Sequence, residues 1–218
     1  STLSSSSAAS DVYKRQDLSV RAARALQAAM GCNQGAHISI MKRVPAQAGM
    51  GGGSSDAATT LLALNRLWGL NLPRHALAKI GLQLGADVPF FLCGHNAWVE
   101  GIGETITPLE KAHQLPQASF VIVKPASGLE TKEIFSSPSL KRDSDSATIL
   151  GFAAAHFDFG RNDLQPVAQA LCPDVLQAIE WLKDRDLKGR MTGSGSAVFA
   201  HMSVSYTHLR AHETGRNL

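Results

Sequence analysis

Residues 45–62 read PAQAGMGGGSSDAATTLL, a glycine-rich run that ends in an alanine–leucine pattern. Glycine tolerates positive φ and has no Cβ, so the amide groups of such a loop can approach a ligand closely. The residues that follow have helical periodicity, with Ala58, Leu61 and Leu64 on one face. The first turn of a helix has unpaired N–H groups and the positive end of the helix dipole, which together favour an anion. The stretch therefore predicts a phosphate-binding loop in front of a helix that begins near Ser54–Asp56.

Two other phosphate-binding motifs do not fit this loop. A Walker A loop ends in Gly-Lys followed by Ser or Thr, whereas Gly53 is followed by Ser-Ser-Asp. A dinucleotide fingerprint needs the spacing G-x-G-x-x-G, which Gly49, Gly51 and Ser54 break. Taken alone, the loop leaves open a plain flexible turn with Asp56 as a helix cap. The two serines and the aspartate favour an anion site instead.

Composition narrows the classes of function. The chain has 218 residues, of which 44% are hydrophobic and 18% charged, values that suit one or two globular domains. A formal charge of +3 is too small to indicate nucleic acid or an anionic membrane surface, and no apolar run reaches the ~20 residues of a membrane span. The 3 cysteines lack CxxC spacing and the 8 histidines lack metal-ligand spacing. We expect a cytoplasmic protein with no nucleic-acid partner, no membrane contact and no protein ligands to a metal.

The two ends of the chain differ from the middle. Residues 1–16 are mostly serine and small polar residues, and residues 204–218 are polar and basic without an apolar face. Neither end has the apolar segment of a signal peptide. We expect both to be non-native or disordered tails.

The middle of the chain interleaves helical and strand patterns, which predicts an α+β fold with lobes at 17–117 and 118–203. Apolar residues at helical spacing predict helices that are listed here by range: 17–31, 55–69, 73–85, 130–135 and 173–187. Short alternating or apolar runs predict strands at 36–44, 88–94 and 119–126, a hairpin within 96–109, and a loop followed by a strand within 189–203. Residues 136–148 have loop composition.

Five further segments carry a resemblance to a known family. LGADVPFF (84–91), EGIGE (100–104), KPASGLETKEIF (124–135), RNDL (161–164) and RMTGSGSAVF (190–199) follow the loop in this order. With PAQAGMGGGSSDAA they resemble the GHMP kinase superfamily, named after galactokinase, homoserine kinase, mevalonate kinase and phosphomevalonate kinase. Within it, the triple glycine before Ser-Ser-Asp is most similar to the family of 4-diphosphocytidyl-2-C-methyl-D-erythritol kinases. The resemblance implies a two-lobed GHMP kinase fold, with an N-terminal ATP-binding lobe and a C-terminal ferredoxin-like lobe, both incomplete.

The resemblance also implies a reaction. It is the ATP-dependent phosphorylation of the 2-hydroxyl of 4-diphosphocytidyl-2-C-methyl-D-erythritol, in the non-mevalonate route to isoprenoid precursors, with Mg²⁺ held largely by phosphates and water. Another small-molecule GHMP kinase and a non-catalytic nucleotide-binding protein stay open as alternatives. A dehydrogenase is the least supported alternative, because no second residue of a dinucleotide-binding fingerprint supports it.

Residue roles follow from the same resemblance. Asp87 corresponds to the catalytic, substrate-binding aspartate; because aspartate is a weak base, we expect it to orient the hydroxyl and to take its proton late. Asn162 and Asp163 have an open role, structural or substrate-side. The predicted nucleotide-binding residues are Lys42, Pro45, Ala48, Gly49, Met50, Gly51, Gly52, Gly53, Ser54 and Ser55. The predicted substrate-binding residues besides Asp87 are Pro125, Thr131, Phe135 and Gly195, the last within a second glycine–serine turn, 192–196.

The sequence also departs from the family. Members of the family begin with a strand that carries a Pro-Ala-Lys motif, whose lysine partners the aspartate. An aromatic-His segment follows that strand. We find neither segment before Asp17. The last helix and strand of the family are not found after residue 203 either. We therefore expect an internal fragment whose rate is lowered by ~10²–10³, because one preorganised charge is missing, and whose first lobe has an unpaired sheet edge.

Overall fold

The computed structural model describes residues 17–109 and 115–202, so both predicted tails lie outside the described residues. Contacts divide the chain into two compact units, which we call the first unit (Ser1–Arg43 with Gly51–Gln114) and the second unit (Val44–Met50 with Leu115–Leu218). The boundary between the units falls between residues 114 and 115, whereas the sequence predicted it between residues 117 and 118. The division also assigns the start of the glycine-rich loop to the second unit. Within the described ranges, no helix has the length and apolar character needed to cross a bilayer.

Among its described residues, the first unit contains four helices and one hairpin. Helix α1 (Leu18–Met30) begins after Asp17, whose carboxylate accepts a hydrogen bond from the Ser19 N–H at 2.8 Å, and it ends at Gly31 with φ +58°. The strands β1 (Ala97–Glu100) and β2 (Thr105–Pro108) pair antiparallel, with Glu100 opposite Thr105. The elements are α1 Leu18–Met30, α2 Gly52–Leu67, α3 Arg74–Leu82, α4 Val88–Cys93, β1 Ala97–Glu100 and β2 Thr105–Pro108.

Small residues let the helices of the first unit pack closely. Ala22 on α1 and Ala57 on α2 are fully buried, and Leu26 and Leu61 fill the space beside them. A Cβ atom on Gly81 of α3 would lie 2.8 Å from Val88 Cγ1, so this glycine allows α4 to approach. The buried apolar core of this unit is Ala22, Ala23, Leu26, Ala57, Ala58, Leu61, Leu64, Trp68, Leu77, Val88 and Leu92.

Three expectations for this part of the chain are wrong. Residues 36–44 form no strand, because no described strand pairs with them and a strand without a ladder partner is not stable. The predicted strand 88–94 is the helix α4, since Pro89 suits the first turn of a helix and Gly94, with φ +74°, ends it. Helix α2 begins at Gly52, earlier than Ser54–Asp56, and Gly51 rather than Asp56 is its N-cap.

The described part of the second unit is built on a three-stranded antiparallel sheet, in which β5 (Val198–Met202) lies between β3 (Ser119–Val123) and β4 (Arg190–Met191). Apolar side chains alternate along β5, where Val198 and Ala200 are buried and His201 is exposed. They join helical residues such as Val175 and Leu182 in a second core. The elements are β3 Ser119–Val123, α5 Thr131–Ser136, α6 Ile149–Ala155, a 3₁₀ turn His156–Asp158, α7 Gln165–Leu171, α8 Pro173–Lys183, β4 Arg190–Met191 and β5 Val198–Met202.

Most expectations for the second unit are confirmed. A strand at 119–123, a helix at 131–136, a long helix at 173–183 and a final strand at 198–202 are all present, so the α+β class holds. The helices α6 and α7 were not predicted. Each has seven residues, too few for a clear apolar period, and α6 depends on a local cap in which the Thr148 hydroxyl accepts the Gly151 N–H at 3.1 Å.

Candidate active site

The first turn of α2 is an uncapped, half-buried helix start. Gly51 is its N-cap, with φ +66°, and no side chain accepts a hydrogen bond there. Ser55 donates to the carbonyl of Gly51 at 2.9 Å, so the N–H groups of Gly52, Gly53 and Ser54 come before the first helical hydrogen bond. Gly52 and Gly53 have no Cβ atoms to screen these amides. The turn is therefore suited to bind an anion through backbone N–H groups.

Residues 84–91, which contain Asp87, lie beside this turn. A Cβ atom on Gly51 would lie 2.8 Å from two ring carbons of Phe91, so that position requires glycine for space as well as for its positive φ. On the other side of Asp87, a Cβ atom on Gly85 would lie 3.9 Å from Ser54 Oγ. The first unit thus brings the end of the predicted phosphate loop, from Gly51 onward, and the predicted catalytic segment together.

Asp87 is the N-cap residue of α4 and is exposed. Its backbone is fixed, because the next residues, Val88 and Pro89, are buried and Phe91 donates its N–H to the Asp87 carbonyl at 3.3 Å. Its carboxylate does not cap α4, and no hydrogen-bond partner for it is found among residues 17–109 and 115–202. A fixed backbone with an unengaged carboxylate suits a group that acts on a bound ligand.

Lys42 bridges two carboxylates of the first unit. Its Nζ lies 3.0 Å from Asp17 Oδ2 and 3.7 Å from Asp56 Oδ2. The ion pair with Asp17 raises the pKa of Lys42. Partial burial works to raise the pKa of Asp17, but the Ser19 N–H and the Lys42 ammonium outweigh it, so the pKa of Asp17 lies below its usual value. Lys42 therefore links the start of α1 to α2, and a nucleotide contact for it stays a prediction.

Replacing Lys42 by methionine is expected to lower the stability at pH 7 by only about 0.5–1 kcal/mol, because the lysine side chain is half exposed, at 51%. The stabilisation from Asp17 is complete above its ordinary pKa of 3.8 and is lost as the pH falls through its lowered folded value. The stabilisation from Lys42 is complete below its ordinary pKa of 10.5. It is lost as the pH rises through the raised pKa of Lys42 in the folded chain. The gap between wild type and variant should stay constant from about pH 5 to 9 and close in acid.

Urea unfolding at several pH values measures this gap. Lys79→Met removes an exposed helix lysine that has no ion pair within the described ranges, and it should not change the pH dependence. A gap between wild type and Lys42→Met that persists unchanged below pH 2 would show that the ion pairs are not its source.

The first half of the glycine-rich loop is held within the second unit by the turn 192–196. Ser196 and Ala197 donate their N–H groups to the carbonyls of Gln47 and Ala48 at 3.1 and 3.2 Å. The Thr192 hydroxyl donates to the Gly49 carbonyl at 3.0 Å. A Cβ atom on Gly49 would lie 2.1 Å from the Thr192 carbonyl oxygen, so only glycine fits there. The second glycine–serine turn thus fixes the backbone of residues 47–49.

Asn162, whose role the sequence left open, fixes this turn from another side. Its Nδ2 donates to the carbonyls of Met191 and Gly193 at 2.9 and 2.7 Å, and its Oδ1 accepts the Leu164 N–H at 3.0 Å. The Thr131 and Ser194 hydroxyls share a hydrogen bond of 2.8 Å. Sequence reasoning missed Thr192 and Ser194 as individual contacts, although both lie in the motif that it selected.

The remaining predicted site residues are not part of the hydrogen bonds described above. Pro125 is buried and its carbonyl accepts a hydrogen bond from Lys124 Nζ at 2.5 Å. Phe135 is exposed at the end of α5, and its carbonyl accepts a hydrogen bond from Arg142 Nη2 at 2.6 Å. Pro45 is exposed and Met50 is half-buried. No group of three His, Cys, Asp or Glu side chains that could hold a metal ion occurs in the described ranges.

Comparisons with known proteins agree with these motifs. Residues 17–95 match the GHMP kinases N terminal domain, and residues 146–202 match the GHMP kinases C terminal family. A crystal structure of 4-(cytidine 5'-diphospho)-2C-methyl-D-erythritol kinase superimposes with a TM-score of 0.70 and 33% identity, over 86% of this chain and 69% of that one.

Two curated relatives named 4-diphosphocytidyl-2-C-methyl-D-erythritol kinase are more similar in sequence. The relative from Paracidovorax citrulli (strain AAC00-1) is 72% identical over 187 residues, which cover 86% of this chain and 66% of the relative. The relative from Verminephrobacter eiseniae (strain EF01-2) is 72% identical over 197 residues, which cover 85% of this chain and 65% of the relative. The chain thus spans slightly less than two thirds of these relatives. It belongs to the GHMP kinases, in the family of 4-diphosphocytidyl-2-C-methyl-D-erythritol kinases.

Proposed function

We propose that this chain is part of an ATP-dependent kinase that phosphorylates the 2-hydroxyl of 4-diphosphocytidyl-2-C-methyl-D-erythritol, a cytidine-diphosphate-linked methylerythritol. The observation that carries the proposal is the packing of residues 84–91, with Asp87, beside the uncapped first turn of α2. Phosphoryl transfer needs a cradle for the phosphates and a group that positions the attacking hydroxyl. The names of the relatives support this particular alcohol as the substrate.

The residues of the first unit fit the phosphates of ATP. The N–H groups of Gly52, Gly53 and Ser54 would bind a phosphate, and the hydroxyls of Ser54 and Ser55 would donate further hydrogen bonds. ATP supplies the transferred phosphoryl group, and Mg²⁺ would neutralise charge on its phosphates. Lys42, Pro45, Ala48, Gly49 and Met50 stay predicted nucleotide contacts.

On the substrate side, Asp87 would accept a hydrogen bond from the attacking hydroxyl, orient it, and take its proton as the new bond forms. Its exposed carboxylate is compatible with this role, since no described residue competes for it. In the second unit, Pro125, Thr131, Phe135 and Gly195 stay predicted substrate contacts. The hydrogen bond between Thr131 and Ser194 supports a shared role for α5 and the turn 192–196.

The experiment is a single-turnover reaction of the 218-residue chain in excess over 4-diphosphocytidyl-2-C-methyl-D-erythritol, with ATP and Mg²⁺, followed by ³¹P NMR. Excess enzyme is needed because the sequence predicts a low rate. We expect a new phosphomonoester signal and an equal amount of ADP. Mevalonate and homoserine serve as control alcohols and should give no phosphomonoester. ATP binding without transfer to any alcohol would contradict the proposal and favour a non-catalytic nucleotide-binding protein.

A further inference from the structure

The turn of the β1–β2 hairpin contains one buried residue between exposed neighbours. Gly103 is buried, whereas Gly101, Ile102 and Glu104 are exposed. Gly103 has φ +110°, and its N–H donates to the Glu100 carbonyl at 3.3 Å. The tip of a hairpin normally lies in solvent, so a buried residue there must contact another segment.

That segment is the peptide bond that leads into Asp87. A Cβ atom on Gly103 would lie 2.2 Å from the Ala86 carbonyl oxygen and 2.9 Å from the Ala86 carbonyl carbon. This carbonyl belongs to the peptide unit that joins Ala86 to Asp87. Gly103 therefore packs directly against that peptide, and any side chain at residue 103 would push the two segments apart.

The backbone of Asp87 thus has a support on each side. On the C-terminal side, Val88 is fully buried, and Phe91 donates its N–H to the Asp87 carbonyl at 3.3 Å. On the N-terminal side, the hairpin turn contacts Ala86. Because the carboxylate itself has no hydrogen bond among the described residues, its position depends on these two backbone supports.

The turn also has a hydrogen bond that holds its own shape. Glu104 Oε2 accepts the Ile102 N–H at 2.6 Å. The three atoms nearest to a Cβ on Gly101, where φ is +69°, would all belong to the Glu104 carboxylate, at 2.2–2.5 Å. Gly101 is therefore part of the same turn contact and is not a neutral position. Gly69, elsewhere in the first unit, has a positive φ of +64°, and a Cβ atom there would meet nothing within 4 Å.

We propose that the Gly101–Glu104 turn positions Asp87 for phosphoryl transfer, with Gly103 as the residue in contact. The inference rests on the proposed function, since the position of Asp87 affects a rate only if Asp87 acts on the substrate. Gly103 acts through Ala86 and is a positioning residue. A misplacement of about 1 Å can cost on the order of 10²-fold in rate, so a methyl group at residue 103 should slow the transfer.

The test compares Gly103→Ala with its matched control Gly69→Ala, at another first-unit glycine with positive φ, in the single-turnover reaction. We expect Gly103→Ala to lower the rate constant about 10–100-fold and to leave the Kd for ATP within about twofold. We expect Gly69→Ala to stay within about threefold of wild type in both quantities. A wild-type rate in Gly103→Ala, or equal losses in the two variants, would overturn the positioning role.

Thermal unfolding of both variants shows whether they fold. If Gly103→Ala does not fold, Glu104→Ala replaces it, because this change removes the acceptor of the Ile102 N–H without adding atoms. Glu104→Ala should lower the rate constant about 3–10-fold at unchanged ATP affinity. A wild-type rate in Glu104→Ala would then count against the proposal.

A spectroscopic measurement separates this inference from the proposed function. The ¹³C carboxyl resonance of Asp87, assigned by its loss in Asp87→Asn, should shift in Gly103→Ala and not in Gly69→Ala. An unmoved resonance in Gly103→Ala would sink the positioning role whatever the enzyme does. A wild-type chain that phosphorylates no alcohol would sink the proposed function alone.

Discussion

Asp87→Asn is expected to lower the single-turnover rate constant about 10²–10⁴-fold, the usual contribution of a positioned acid–base group. The amide keeps the size of the side chain but cannot take a proton from the hydroxyl. Stability should change by less than about 0.5 kcal/mol, because the carboxylate is exposed and makes no hydrogen bond among the described residues. Single-turnover kinetics and thermal unfolding of the same samples measure both effects.

The control for Asp87→Asn is Asp143→Asn, which makes the same change at an exposed residue in the loop between α5 and α6. It should have the wild-type rate. ATP affinity should be unchanged in both variants, since Asp87 is proposed to act on the alcohol. A wild-type rate in Asp87→Asn would remove Asp87 from the mechanism.

Gly49→Ala is expected to destabilise the second unit by about 2–5 kcal/mol, the sum of a left-handed backbone cost and a steric clash. The backbone at Gly49 has φ +66°, where a Cβ atom is unfavourable. That atom would also lie 2.1 Å from the Thr192 carbonyl oxygen and 2.6 Å from the Gly195 nitrogen. Both contacts are with backbone, which cannot rotate away, so the hydrogen bonds to residues 47–49 should be lost as well.

Gly160→Ala is the matched control for Gly49→Ala. Gly160 lies in the same unit with φ +74°, but a Cβ atom there would meet nothing within 4 Å. Gly160→Ala should lower the free energy of unfolding only by the cost of a left-handed backbone, about 1–2 kcal/mol. Urea unfolding of both variants gives the comparison. Equal losses of stability would mean that the contact with Thr192 is not tight, and the account of the second glycine–serine turn would fail.

Local chemistry determined how much of this fold could be predicted from the sequence. Gly31 ends α1 as expected, and the strand 119–123 follows from its apolar run although Phe120 and Ile122 are exposed, because a helix cap and a β-branched apolar run both leave a local pattern. The segment 88–94 was wrongly predicted as a strand, because VPFFLC is apolar on every side and shows no helical period. Its helical state depends on the proline in its first turn and on burial of Val88 and Leu92 in the core.

The candidate site was predictable in its motifs and not in its contacts. Asp87 and the glycine-rich loop were selected by family resemblance. Phe91 and Gly103 lie in the motif segments 84–91 and 100–104, but they have no polar side chain from which a role could be assigned. The double hydrogen bond from Asn162 to residues 191 and 193 spans 29 and 31 positions. Contacts over such separations depend on tertiary packing, so local patterns could not assign the role of Asn162.

Both the proposed reaction and the role of Asp87 depend on phosphate binding at the first turn of α2. The direct measurement is a titration of the ¹⁵N-labelled 218-residue chain with ATP and Mg²⁺, followed through the amide signals of Gly52, Gly53 and Ser54. We expect these three signals to shift and to saturate together, while a distant helix end such as Gly31 does not move. Saturable ATP binding that leaves all three amides unmoved would contradict the central claim, because the phosphates would then bind elsewhere.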